Sequence, residues 1–243
     1  MALPSGLRAK VEHLLARNSW FSSLPSGLQE EILARSVVKN CARGKVINTE
    51  GSKSPGLMLL LEGQVAVTHW VGNEEEILIH VGEPGLWFGE VALLTDGEAI
   101  VNFVAKSDVR ILLLPAFEFE RMVARDPKSY RHFARLALER YVLLYRLIAE
   151  DRSLAPELRV RARLSDMVDA RIVDRPEEGA VELTLSQADL AALLGLSRQT
   201  VNEVLQRLAR QGLVELGFRK IVVPRPDELR SDLQLPPHEL NAG

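Results

Sequence analysis

Apolar positions along this chain change period several times. Between residues 7 and 35 they recur at helical spacing, Leu7, Val11, Leu14 and Leu15 on one stripe and Leu28, Ile32 and Leu33 on another. Leu24-Pro25-Ser26 separates the two helices, with Ser26 as the expected cap of the second. From about Lys39 the apolar runs shorten: Val46-Ile47, Leu57 to Leu61, Val65 to Trp70, Ile77 to Val81, Leu86 to Phe88, Ile100 to Val104 and Arg110 to Leu114. Gly44, Gly51, Ser54-Pro55-Gly56, Glu62-Gly63, Gly72-Asn73, Pro84-Gly85 and Asp96-Gly97 punctuate them as turns. Many short strands at regular spacing predict an antiparallel barrel or jelly roll.

The helical period returns at Phe117. Pro127 fits the first turn of a long helix capped by Asp126 and running to about Ala149 or Glu150. Phe133, Ala137, Leu144 and Leu147 fall near a heptad seam, widened by Leu136, Tyr141, Leu143 and Ile148. One side of this helix can rest on the barrel while the other meets its counterpart in a parallel two-fold coiled coil. The expected dimer interface is therefore Phe133, Ala137, Arg140, Tyr141, Leu144, Leu147 and Ile148; the other reading is a helix buried within its own domain. Ser153-Leu154-Ala155-Pro156 is the expected hinge, followed by a helix from about Glu157 to Arg171 and a polar link, Asp174 to Gly179.

The stretch Leu183 to Val223 reads as two short helices, a tight turn between them, and a two-stranded hairpin. Ser186 and Asp189 form an S-x-x-D capping box, and Leu190, Leu193 and Leu194 give the first helix an apolar face. Gly195 permits a sharp exit that a Cβ would hinder. Ser197 caps the second helix, in which Val201, Leu205 and Leu208 share a face and which Gly212 stops. Arg198, Gln199, Asn202, Glu203 and Gln206 point the other way, within the region that a helix-turn-helix presents to base edges in the major groove. The plainer reading is an ordinary helical pair with a solvated polar face. The double cap, the glycine turn and the hairpin together favour DNA binding.

Composition narrows the remaining classes. The chain has 243 residues, enough for two domains, and an apolar fraction of 47% that suits a globular protein. Cys41 is the sole cysteine, which excludes a cysteine-ligated iron–sulfur cluster and an intrachain disulfide. The N-terminal segment lacks the apolar core of a signal peptide and no apolar run is long enough to span a membrane, so a cytoplasmic protein is expected. The net charge of −3 conceals a division: Gly195 to Arg225 carries six cations against two carboxylates, a local excess of +4. Phosphate attraction depends on that local patch.

Two motifs in the first half and one in the second carry a family resemblance. Glu62-Gly63-Gln64-Val65-Ala66-Val67 and Pro84-Gly85-Leu86-Trp87-Phe88-Gly89-Glu90-Val91-Ala92-Leu93 resemble the KGxVxV and GDxFGExxL signatures of the cyclic-AMP receptor protein/FNR (CRP/FNR) regulators. Leu194 to Val201 resembles their recognition-helix entry. The likeness runs from about Phe21 to Arg225. It implies an α+β chain: an N-terminal antiparallel, cyclic-nucleotide-binding-like jelly-roll barrel, a long dimerisation helix and a C-terminal winged helix-turn-helix. The expected boundaries are 1–126 for the helices and barrel, 127–152 for the dimerisation helix and hinge, 153–229 for the winged helix-turn-helix and 230–243 for a flexible tail.

Departures from the family pattern concern the effector. Members that bind cyclic AMP hold its phosphate with an Arg-Ser or Arg-Thr pair about ten residues beyond the Gly-Glu, where this chain has Ile100-Val101. A buried phosphate without a cation is costly. Arg140 matches a family position near the pocket, but the Thr-Ser pair that touches adenine is replaced by Leu144-Tyr145. Cyclic AMP is therefore disfavoured, and Gly89, Glu90, Ile100, Val101, Arg140, Leu144 and Tyr145 are candidates to line a pocket for another small molecule. Glu90 could accept from a ligand hydroxyl, or serve as a structural carboxylate bonded to backbone amides. Haem through His69, His80 or His132 is the weaker option, since each suits an ordinary strand or helix position.

The expected function is a homodimeric, sequence-specific transcription regulator that binds a near-palindromic site on double-stranded DNA and contacts RNA polymerase. Ser186, Gln187, Ser197, Arg198, Gln199, Thr200, Asn202, Glu203, Arg207 and Lys220 are the expected DNA contacts. Gln199 suits adenine and Glu203 suits cytosine N4, so the site should differ from that of the cyclic-AMP receptor; alternatively Glu203 pairs with Arg207 and never touches DNA. A constitutive regulator with a vestigial pocket is the alternative. A cupin-like metalloenzyme on the barrel would need clustered His and Glu ligands, and His69 and His80 are isolated.

Overall fold

The computed structural model describes residues 5–72, 75–170, 179–231 and 233, without the side chains of residues 5–10 and 170. Most of the polar link and of the tail, and the side chain of Leu7, lie outside that description. Two compact units divide between Arg140 and Tyr141.

The N-terminal unit opens with three helices, α1 (Ser5–Ala16), α2 (Ser19–Ser22) and α3 (Ser26–Arg35). Asn18 caps α2, its Oδ1 accepting from Phe21 N at 2.9 Å while its Nδ2 donates to Gly85 O at 3.1 Å. The expected Ser26 cap is not formed; Pro25 holds the cap position of α3 without a side-chain bond, and Ser26 is already helical. Eight strands follow: β1 (Val37–Cys41), β2 (Val46–Asn48), β3 (Gly56–Glu62), β4 (Val65–Val71), β5 (Glu75–Gly82), β6 (Trp87–Phe88), then β7 (Asn102–Ala105) and β8 (Val109–Pro115) after a short helix α4 (Glu90–Thr95). They pair antiparallel in two four-stranded sheets, β1-β8-β3-β6 and β2-β7-β4-β5.

The expected antiparallel jelly roll is present, with its two sheets open rather than closed into a barrel, and β3 is an interior strand of one of them. Its run Leu57 to Leu61 is buried on both faces, which requires cover on each side. Met58, Leu60, Phe88, Ile111 and Leu113 face Val65, Val67, Phe103 and Ala105 in the core cluster. Helix α5 (Ala116–Arg125) packs on β3 and β8. Aromatic rings fill the space around the first helices: Trp20 meets Trp87 at 5.1 Å and Phe133 at 5.9 Å between centroids, and Phe119 meets Phe133 edge-on at 4.9 Å.

Asp126 caps a 3-10 turn, Pro127–Ser129, its side chain accepting from Lys128 N at 3.2 Å. The long helix α6 (Tyr130–Ser153) starts there and runs three residues past the expected end. Phe133 and Leu136 are spent on the core of the N-terminal unit, at 1% and 4% exposure. Phe133 therefore has no free face for a second copy, contrary to its expected place in a dimer seam. Of the expected seam, Tyr141, Leu144 and Ile148 are exposed, and Leu138, Val142 and Tyr145 extend them into an apolar stripe. Ala137 and Leu147 are half-buried.

In the C-terminal unit, α7 (Pro156–Ala170) packs against α8 (Gln187–Leu194) and α9 (Arg198–Arg210). The expected two-stranded hairpin has a third partner: β9 (Val181–Leu183) pairs with β11 (Lys220–Val223), which pairs with β10 (Glu215–Gly217), and α10 (Pro226–Arg230) follows. Val160, Leu164, Val168, Leu190, Val201, Leu205, Leu208 and Val223 form its interior, all fully buried. Arg161 binds the Leu229 carbonyl through Nε at 3.1 Å and Nη2 at 2.9 Å, which ties α10 to α7.

Charged groups cross the joint between α6 and α7. Arg146 reaches Asp166 at 2.9 Å and Glu150 at 3.5 Å, and Arg159 pairs with Asp151. Burial pushes the Arg163 guanidinium below its ordinary value, against the pull of Asp166 and Glu150. The Ser153–Pro156 segment expected to be a hinge is thus bridged on both sides by ion pairs.

Candidate DNA-reading face and effector pocket

Local chemistry accounts for the helix-turn-helix. Ser186 takes extended backbone, its Oγ accepting from Asp189 N at 3.0 Å, and Asp189 Oδ2 accepts from Ser186 N at 3.3 Å. Gly195 ends α8 at φ +58°, and Leu196 N returns to Ala191 O at 3.0 Å. A Cβ at Gly195 would meet nothing within 4 Å, so glycine is needed for the left-handed backbone rather than for space. Ser197 then caps α9, its Oγ accepting from Thr200 N at 3.0 Å, with Thr200 Oγ1 a further 2.8 Å contact. Gly212, at φ +72°, closes the helix, and Leu213 N returns to Leu208 O at 3.0 Å.

Val201, Val204, Leu205 and Leu208 turn α9 inward, leaving Arg198, Gln199, Asn202, Glu203, Gln206 and Arg207 exposed on its other side. Most of these are engaged with neighbours. Gln199 Nε2 donates to Glu203 Oε1 at 3.0 Å, and Asn202 Nδ2 donates to Gln187 Oε1 at 2.9 Å, linking α9 to the first turn of α8. Arg207 pairs with Glu157 of α7 at 2.5 Å, so the alternative pairing of Glu203 with Arg207 that the i, i+4 spacing offers is not formed. The carboxylate of Glu203 is already taken by Gln199, and Glu157 offers Arg207 a closer partner. Lys220 of β11 pairs with Glu182 of β9 at 2.9 Å. On this face Arg198 and Gln206 have no side-chain partner among the described residues, and Arg198 is the only cation of the two.

The expected pocket residues separate. Gly89 and Glu90 lie at the β6–α4 junction. Gly89 adopts φ +94°, and a Cβ there would come within 2.5 Å of Gly56 O, so the turn admits only glycine. Glu90 is 7% exposed, yet its carboxylate has no hydrogen-bonding or ionic partner among the described residues. The reading of Glu90 as a carboxylate held by backbone amides is therefore not met. Arg140 donates from Nη2 to Trp87 O at 2.7 Å, three residues before Glu90 in sequence. Ile100 is 59% exposed, whereas Val101 packs against the core. Leu144 and Tyr145 belong to the C-terminal unit; both are exposed, and the Tyr145 hydroxyl meets that of Tyr141 at 3.0 Å. Among the described residues no group of three or more His, Cys, Asp or Glu is placed to hold a metal, and no helix is long and apolar enough to cross a membrane.

Sequence reasoning missed two features. Trp20 and Trp87 anchor the elements that carry Glu90 and Arg140, and the Trp20 indole donates to His132 O at 2.7 Å. The tip of the β10–β11 hairpin was also passed over, although Phe218-Arg219 between two short β runs marks a two-residue turn.

The chain matches the Crp-like helix-turn-helix domain over residues 158–231 and the cyclic nucleotide-binding domain over residues 38–126. It is 31% identical over 178 residues to the cyclic AMP receptor protein of Thermus thermophilus, spanning 72% of this chain and 78% of that protein. It is 23% identical over 227 residues to the CRP-like cAMP-activated global transcriptional regulator of Mycobacterium tuberculosis, spanning 90% and 98% of the two chains. Among solved structures, a CRP/FNR-family transcriptional regulator of Thermus thermophilus superposes with a TM-score of 0.62 at 27% identity, covering 80% of this chain and 97% of that one. FixK2 from Bradyrhizobium japonicum shares the fold, with a TM-score of 0.70 at 19% identity over 81% of this chain and 96% of its own. The chain belongs to the CRP/FNR family of DNA-binding transcription regulators.

Proposed function

We propose that two copies of this chain bind a near-palindromic operator, each placing α9 in the major groove, under the control of an effector other than cyclic AMP. The exposed polar face of α9, headed by the unpartnered Arg198, carries this reading. Arg198, Gln199, Asn202 and Glu203 supply base-edge chemistry, while Ser186, Gln187, Ser197, Thr200, Arg207 and Lys220 flank them with groups suited to phosphate oxygens. The apolar stripe Leu138, Tyr141, Leu144, Tyr145 and Ile148 supports pairing of two α6 helices. Two-fold pairing matches a two-fold operator. RNA polymerase is the downstream partner, and the protein acts by binding rather than by catalysis.

Support for a different effector comes from what the pocket region offers. Ile100 and Val101 bring neither a cation nor a hydroxyl to a phosphate, and an unpaired buried phosphate is costly. The buried Glu90 carboxylate suits a ligand that donates a hydrogen bond. Such a ligand would act by binding one arrangement of the chain more tightly than another.

The test is operator affinity by fluorescence anisotropy, with cyclic AMP, cyclic GMP, cyclic di-GMP and haem titrated in turn, alongside light scattering. A dimer whose affinity is unmoved by cyclic AMP is expected, and a tenfold rise at micromolar cyclic AMP overturns the effector reading. A dimer indifferent to every ligand is the mark of a constitutive regulator.

A further inference from the structure

The β10–β11 hairpin ends in the two-residue turn Phe218-Arg219, closed by the pair Gly217↔Lys220. Phe218 is 92% exposed, far beyond every other large apolar side chain described. Arg219 sits at φ +56°, in the left-handed region, one of only two non-glycine residues found there among the described residues. That position in a turn favours glycine, so the arginine is retained at a cost to the fold. Neither side chain has a hydrogen bond, ion pair or ring contact among the described residues. The fold thus gains nothing from Phe218 and is strained by Arg219. Their chemistry points outward, to a surface that is anionic and also has apolar edges.

The minor groove of duplex DNA is such a surface, with deoxyribose walls and a negative potential that deepens where the groove narrows. The wing is attached to the DNA-reading element, since β10 packs on α9. Charge agrees, because the same stretch holds Arg210, Lys220 and Arg225. We infer that the wing tip is a minor-groove reader: the Arg219 guanidinium enters the groove beside the segment read by α9, and the Phe218 ring packs on the sugar edges of its wall. The operator is then read at its flanks through groove width and the absence of the guanine 2-amino group, in addition to the base edges met by α9. This rests on the DNA-reading role of α9.

The experiment uses the full-length chain and an operator recovered by selection, with flanks made of A·T, G·C or inosine·C pairs. Inosine·C keeps the guanine pattern in the major groove but removes the 2-amino group from the minor groove. The intact chain is expected to bind A·T flanks about five- to tenfold more tightly than G·C flanks, with inosine·C recovering most of the difference. Phe218→Ser should shrink that ratio, and Arg219→Gly, which suits the turn backbone, should abolish it while circular dichroism stays unchanged. Arg198→Ala should weaken binding to all three duplexes and leave the ratio intact, so failure of the α9 reading is seen separately. Equal affinity of the intact chain for all flanks overturns the inference. So does a uniform loss for Arg219→Gly with a salt slope smaller by about one, the signature of a phosphate clamp.

Discussion

Replacing Asp166 by Ala tests whether the joint between α6 and α7 is held by buried charge. Arg146 and Asp166 are 2.9 Å apart with side-chain exposures of 7% and 12%. At an effective dielectric of about 20 the gross attraction over that distance is about 6 kcal/mol. Much of it offsets the desolvation of both groups, so the intact pair contributes little on balance. Removing one member is another matter, since it leaves the guanidinium buried without its nearer carboxylate. Truncations of this kind cost about 3–5 kcal/mol, and Glu150, still 3.5 Å from Arg146, places the expected loss near the lower end, about 3 kcal/mol. All three tryptophans, Trp20, Trp70 and Trp87, lie in the N-terminal unit. In urea the helical circular dichroism transition should therefore shift to lower denaturant for Asp166→Ala, while the tryptophan fluorescence transition moves less. Joint replacement, Arg146→Met with Asp166→Leu, should recover only part of the loss, because Glu150 and Arg163 keep their buried charges. A change below about 0.5 kcal/mol for Asp166→Ala would refute the reasoning, because it would mean that Arg146 is already solvated or held by Glu150 alone.

Three further outcomes follow from single contacts. Gly89→Ala places a Cβ 2.5 Å from Gly56 O in a left-handed backbone, so thermal melts followed by tryptophan fluorescence should fall by the equivalent of about 2 kcal/mol or more. Ser197→Ala removes the α9 cap and should cost about 1 kcal/mol in urea unfolding, with a matching loss of operator affinity if the helix start frays. For Glu31, burial pushes the carboxyl up, but the guanidinium groups of Arg125 and Arg35 outweigh it and hold the value below 4.5. A lowered folded-state value means stability that is present above the unfolded value and lost as the pH falls through the folded one. Glu31→Gln should thus melt below the parent protein at neutral pH, and the two melting curves should converge in acid.

The winged helix was legible because its signals are local. Ser186 and Asp189, Ser197, Gly195 and Gly212 each act within four residues, and backbone dihedrals follow from them directly. The long helix was legible as a helix but not in its facing. Phe133 fits a heptad seam by spacing, and only the approach of Trp20 and Phe119 from elsewhere in the chain commits it to the core. That commitment removes Phe133 from the exposed stripe, which keeps Tyr141, Leu144 and Ile148 and adds Leu138 and Tyr145. The antiparallel jelly roll was legible as well, but not whether its two sheets close into a barrel. Alternation and turns define strands, but closure depends on which strand edges meet, and both faces of β3 are claimed by packing partners distant in sequence. The buried pair of Arg146 with Asp166 was invisible because Asp166 lies twenty residues on, beyond any helical spacing. Glu203 is the sharpest case: i, i+4 spacing offered it both Arg207 and Gln199, and Glu157 decided between them by taking Arg207.

These pairings bear on how specificity arises at the DNA-reading face. Gln199 with Glu203 and Asn202 with Gln187 satisfy one another in the free protein. A base edge that accepts from the amide nitrogen already in use on Gln199 or Asn202 competes with an existing hydrogen bond, so the net gain of that contact is the difference between two bonds rather than the value of one. A wrong base then costs more than a missing contact, because the displaced partner is left unpaired in a desolvated groove. Arg198 carries no such exchange and can engage a phosphate or a guanine at once. Affinity at this face should therefore track Arg198, and discrimination should track the two amide pairs. On that division, Arg198→Ala lowers binding across sequences more than it broadens preference, whereas Asn202→Ala broadens preference with a smaller loss of affinity. A selection on randomised duplexes, run with both variants and the parent chain, separates these outcomes; equal broadening by the two would show that the paired amides are spectators.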